Sequence, residues 1–108
     1  MKTFTSLFLI LIFSIIFTGC ELGPDHSIRI KNNYPYTANS VKIGSVSYGT
    51  INTGSTTGYQ PVDDGNHDFS CLTSNSMSIT GTVSISGNGT HKWTLTISST
   101  GQLSIKED

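Results

Sequence analysis

The chain is expected to fold, after an N-terminal signal-peptide helix, as an all-β protein: a small antiparallel β-sandwich of seven or eight strands. Three observations predict this. Apolar residues beyond position 27 recur with a period of two. Gly, Asn and Asp clusters interrupt them every 8–12 residues or so, the punctuation of a sandwich or barrel. Beyond Cys20 no window of a dozen residues carries a helical stripe, and the long Ala/Leu/Glu/Lys stretches of a helical bundle are missing. With 108 residues, 35% hydrophobic and 12% charged, the chain has room for one such domain and no more.

The strands follow in order. Ile28 and Ile30 alternate with Arg29 and Lys31; Val41 and Ile43 flank Lys42; Val46 and Tyr48 flank Ser47. Later Met77, Ile79, Val83 and Ile85 alternate with Ser and Thr, followed by Trp93, Leu95 and Ile97, then Leu103 and Ile105. Each set makes one face apolar and the other hydroxylic, as in a half-buried antiparallel sheet. Turns are expected at Asn32-Asn33, Gly44-Ser45, Asn52-Thr53-Gly54, Asp63 to Asn66, Gly87-Asn88-Gly89 and Ser99-Thr100-Gly101. Paired residues must share a face, so parity tests the register. A three-residue loop with Ser98 opposite Gln102 pairs Ile97 with Leu103 and Leu95 with Ile105, leaving Gly101 at the left-handed position. The same logic sets Ser86 opposite Thr90, which pairs Val83 with Trp93 and Ile79 with Ile97. A two-residue Gly65-Asn66 turn would set Asp64 opposite His67, and Asp63 opposite Asp68. Two sheets face to face fit better than a ligand-filled barrel, because twenty or so inward apolar residues fill a sandwich core and leave little to line a cavity.

The first nineteen residues are different in kind. Lys2 supplies a positive charge, and Leu7 to Phe17 is an apolar run broken only by Ser14, the n-region and h-region of a secretory signal. The run is nearer a dozen residues than the roughly 20 a spanning helix needs. It ends in Phe17-Thr18-Gly19-Cys20, which resembles the lipobox of bacterial lipoproteins, with Phe17 where that family prefers Leu. The resemblance implies cleavage between Gly19 and Cys20 and a diacylglyceryl group on the Cys20 thiol, and it usually brings acylation of the new N-terminus. Two or three acyl chains hold a protein on a bilayer nearly permanently. The expected organisation is therefore signal peptide 1–19, lipidated Cys20 with a short tether to 27, and a sandwich over 28–108. The expected location is the cell envelope, on a membrane, and on the outer one if the host has two, since Glu21 is not the Asp of inner-membrane retention in enteric bacteria. The pattern Gly54-Ser55-Thr56-Thr57-Gly58-Tyr59, Val62, Asp64-Gly65 also resembles the immunoglobulin-like or transthyretin-like domains of small envelope lipoproteins. That resemblance implies a fold and a binding or scaffolding role.

Candidate chemistry is sparse. Cys71 is in phase with Phe69 and is expected to point inward as a small hydrophobe; no adjacent basic residue or His activates it. Asp63, Asp64 and Asp68 crowd one turn. They read first as a solvated polar turn and alternatively as hard oxygen ligands for a cation such as Ca²⁺, although the spacing is not that of an EF-hand. His26 is expected in the tether, with His67 and His91 at strand ends; the three are too scattered to announce a zinc site. No Gly-x-Ser-x-Gly elbow and no carboxylate pair for glycoside hydrolysis is visible. The expectation is a protein that is not an enzyme and carries no cofactor. Tyr34-Pro35-Tyr36 is the better lead: two aromatic rings on a loop can stack on a sugar or anchor a protein, or one ring can plug the end of the sandwich. From Cys20 onward, Arg29, Lys31, Lys42, Lys92 and Lys106 face seven acids, so the sequence shows no basic footprint for nucleic acid. The expected partners are a membrane through the lipid and a protein or glycan through the domain. Three functions remain open: a non-catalytic interaction, surface or structural module; a small carbohydrate- or host-ligand-binding module using Tyr34 and Tyr36; and an inhibitor of a secreted hydrolase.

Overall fold

A computed structural model describes residues 25–108. The signal peptide, Gly19 and Cys20 lie outside them. Eight strands form: β1 (Asp25–Asn32), β2 (Ala38–Ile43), β3 (Val46–Ile51), β4 (Gln60–Val62), β5 (Gly65–Thr73), β6 (Ser78–Ile85), β7 (Thr90–Ile97) and β8 (Leu103–Glu107). They make two four-stranded sheets, β4-β1-β7-β8 and β3-β2-β5-β6, packed as a sandwich. The alternating apolar residues meet between the sheets. Ile28, Ile30, Leu95 and Ile97 of the first sheet close on Val41, Ile43, Phe69, Val83 and Ile85 of the second.

Several elements match the spacing of the sequence. The β7–β8 hairpin has the expected register, Ile97 with Leu103 and Leu95 with Ile105, and the Ser98 N–H donates to the Gln102 carbonyl. Gly101 has φ +85°, which a β-carbon would strain. Gly44-Ser45 is a two-residue turn joining Ile43 to Val46. Cys71 is buried. β2 changes inward parity between Ala38 and Val41, and a register shift there, with Ser40 at φ +53°, absorbs the extra residue as a bulge does.

Four expectations are corrected. β6 and β7 are not a hairpin: Ser86 does not pair with Thr90, because β6 pairs with β5 and the chain crosses to the other sheet through Gly87-Asn88-Gly89. Val83 and Trp93 both face inward, but from opposite sheets, and parity alone cannot tell these arrangements apart. Gly65-Asn66 is likewise no hairpin turn, since β4 pairs with β1 and β5 with β2 and β6, so Asp63 does not oppose Asp68. The sheets are not wholly antiparallel: β1 runs parallel to β7 over its full length, His26 beside His91 through Asn32 beside Ile97. Finally, β1 starts at Asp25, ahead of Ile28. His26 is no tether residue; it is 2% exposed inside the sandwich.

Candidate functional site

The direction of β1 sorts the loops. Asp25 starts at one end of the sandwich and Asn32 finishes at the other, where the β1–β2, β5–β6 and β7–β8 connections gather. Eight strand residues separate the ends by about 26 Å.

The end remote from Asp25 is built on Asn32. Its side chain is fully buried, with Nδ2 donating to the carbonyls of Ile51 (3.0 Å) and Tyr36 (3.1 Å), and Oδ1 accepting the Tyr34 N–H (3.0 Å). One amide thus ties β1, the end of β3 and the β1–β2 loop. A short polar side chain that returns to the backbone two residues on is the Asx geometry that Asn favours. Tyr34 is 6% exposed and plugs the end of the core. Its ring lies against Gly101, where an added β-carbon would come within 3.4 Å. Its hydroxyl accepts from Asn75 Nδ2 (3.2 Å) and reaches Met77 Sδ (3.2 Å), while its carbonyl accepts from the Thr53 hydroxyl.

Around this plug, Tyr36 and Met77 are each 45% exposed. The Tyr36 ring sits 5.7 Å from that of Tyr34 at a tilt of 53°. The two tyrosines therefore do different work: Tyr34 is structural, and Tyr36 offers the free ring. Met77, expected inward with Ile79, instead lies in the β5–β6 turn, where its carbonyl accepts from the Thr73 N–H. Asn75 and Met77 gave no site signal in sequence, because the β5–β6 loop that holds them meets Tyr34 of the β1–β2 connection only once the two sheets have closed.

The acidic turn is dispersed. The Asp63 carbonyl accepts from His67 Nε2 at 2.6 Å, Asp64 approaches His26, and Asp68 sits on the outer face of β5 across from Thr82. Among the described residues no group of three or more His, Cys, Asp or Glu side chains is gathered for a metal ion. Burial pushes the Cys71 thiol pKa up, which keeps it protonated and a poor nucleophile.

The end near Asp25 is closed by rings. His26 and His91 stack at 5.3 Å, and Trp93 Nε1 donates to His26 Nδ1 (3.2 Å). That bond uses Nδ1 as the acceptor and leaves Nε2 to carry a ring hydrogen; Nε2 faces Asp64 Oδ1 at 3.3 Å without hydrogen-bond alignment and has no other partner among the described residues. His91 has Glu107 Oε2 at 2.6 Å from Nδ1 and the Asn88 carbonyl at 2.7 Å from Nε2. Two acceptors for one ring favour the imidazolium, and the Glu107 bond chiefly holds the His91 pKa above its usual value.

Comparison with family models and with curated proteins found no match to this chain.

Proposed function

We propose that this is a lipid-anchored protein of a bacterial cell envelope, held by Cys20, whose non-catalytic sandwich presents the Tyr36 and Met77 end to a protein partner. The observation that carries the reading is the polarity of the domain. β1 starts five residues after Cys20, and five residues reach about 17 Å at most, so the Asp25 end stays close to the bilayer. Tyr36 and Met77 stand at the opposite end, about 26 Å further out. Both flank a plugged, hydrogen-bonded base, and side chains held on such a base lose little freedom on binding. Aromatic and Met side chains are also the types enriched where proteins dock.

Two measurements test the two halves. A fatty-acid analogue should label the protein in its host, and label that persists in Cys20→Ser would sink the anchor. A photo-crosslinking residue at position 36 should yield a discrete adduct in intact cells, and the same residue at position 42, on a sheet face, should not. Equal adducts from both positions would refute the end-on docking.

A further inference from the structure

Beyond the docking end, we propose that the outer face of the β4-β1-β7-β8 sheet binds an acidic glycan, a sugar chain bearing carboxylate or sulfate groups. Four of the five cations of the described residues lie on this one face: Arg29 and Lys31 from β1, Lys92 from β7 and Lys106 from β8. Each occupies an outward position between inward residues. The fifth, Lys42, is on the opposite sheet beside Ser70. Of the acids, Asp63 and Asp64 lie in the β4–β5 connection, Asp68 is on the other sheet, and Glu107 is turned to His91. The face keeps Asp25 at the start of β1 and Asp108 just after β8, so cations outnumber acids four to two.

The strand register arranges these cations in rows with hydroxyls. Lys92 pairs with Ser27; Arg29 and Lys106 bracket Thr94; Lys31 is followed by Thr96 and Ser104. Neighbours in the pattern are about 7 Å apart along a strand and about 10 Å apart across two strands. That matches the Debye length of about 10 Å at 0.1 M salt, so the four fields merge into one positive surface. Asp108 sits among them as a carboxylate, accepting from the Tyr59 hydroxyl (2.5 Å) and from Thr94 (2.8 Å), bonds that lower its pKa. It lies 3.7 Å from Arg29 Nε, so it offsets part of the Arg29 charge and leaves Lys31, Lys92 and Lys106 as the cations without an ion-pair partner among the described residues. Tyr59, from the β3–β4 connection, has Arg29 and Lys92 over its ring at 5.1 and 5.0 Å. It is a positioning residue that holds two cations in place.

Alternating cations and hydroxyls suit a polyol that carries anionic groups. Charge alone attracts an anionic bilayer, but a firm hold adds apolar side chains that insert, and among the described residues the exposed large hydrophobics Tyr36, Leu72 and Met77 are all elsewhere. A nucleic acid strand would need a free aromatic platform, but the Tyr59 ring is taken by the two cations. The preference for a glycan over nucleic acid also rests on the envelope reading given above.

The test uses the chain from Glu21 onward, which holds every core residue from Ile28 to Ile97 and lacks the lipid site. Polygalacturonate and dextran sulfate are titrated by calorimetry at about 50 mM salt, where screening is weak. Both should bind and neutral dextran should not. Lys92→Glu with Lys106→Glu should weaken binding about tenfold or more, Tyr59→Ala should weaken it to a smaller extent, and Lys42→Glu should change it less than about twofold. The proposal is overturned by no binding, by equal binding of dextran, by an equal loss in Lys42→Glu, or by tighter binding of phosphatidylglycerol vesicles or single-stranded DNA. Loss of the anchor reading would appear separately, as label surviving in Cys20→Ser of the full chain, and would leave the polyanion result untouched.

Discussion

Replacing Asn32 with Ala should destabilise the domain far more than the loss of the three heavy atoms of a single amide suggests. The amide satisfies three backbone groups: the buried carbonyl of Ile51, the buried N–H of Tyr34 and the partly buried carbonyl of Tyr36. Alanine leaves all three without this partner at a position closed to water. A buried polar group stripped of its partner costs about 1–3 kcal/mol. Two such groups come to about 2–6 kcal/mol, with the third adding less because water can reach it. A native domain of this size holds about 4–13 kcal/mol in all, at 0.05–0.15 kcal/mol per residue, so the loss is a large share of the total. Urea titration of the chain from Glu21, followed by Trp93 fluorescence, reads it directly. With a slope near 1 kcal/mol/M, the midpoint should fall by about 2 M or more. Asn32→Asp keeps the shape and the acceptor for Tyr34 but turns a donor into a charge beside two carbonyls, so it should lose at least as much. A shift under about 0.5 M in Asn32→Ala would mean that other groups or water satisfy these atoms, and the account of this end as a single hydrogen-bonded unit would fail.

Two further outcomes are expected. The His91 pKa is raised in the folded protein, so the His91–Glu107 pair stabilises fully below the unfolded value of about 6.5 and loses its contribution as pH rises through the folded value. The melting temperature should therefore fall from pH 6 to pH 8, and Glu107→Gln should flatten that fall; an unchanged slope in the variant would remove the pair as its cause. Cys71 should resist a thiol reagent in the native domain and react promptly in denaturant, because burial both shields the sulfur and raises its pKa. Prompt native labelling would place the thiol outside the core.

Much of the fold was legible from alternation, because a strand's side chains must choose one of two faces and only one can be buried. Ile28, Ile30, Val41, Ile43, Phe69, Cys71, Ile79, Val83, Ile85, Leu95 and Ile97 are all inward as their spacing implies. The β7–β8 hairpin was legible too, because a three-residue loop and a Gly at its last position leave a single register. The failures share one cause. Val83 and Trp93 share parity whether they pair within a sheet or face each other across the core, so periodicity could not separate a hairpin from a crossover. His26 was lost among polar neighbours, since its burial comes from Trp93 and His91, 67 and 65 positions further along.

The sequence by itself therefore determined most of the apolar residues that face inward, where the chain turns, and the lipobox-like segment that precedes the domain; these depend on local sterics and on apolar pattern, which is also why Met77 and His26 were misplaced. Only the tertiary structure decided which strands are neighbours. Laying β1 parallel to β7, with β8 beyond, set His26 against His91 and brought Arg29, Lys31, Lys92 and Lys106 onto one face, although the chain as a whole has no basic excess. Adjacency of strands so distant along the chain is settled by how the two sheets close over their common core, and no local pattern encodes that.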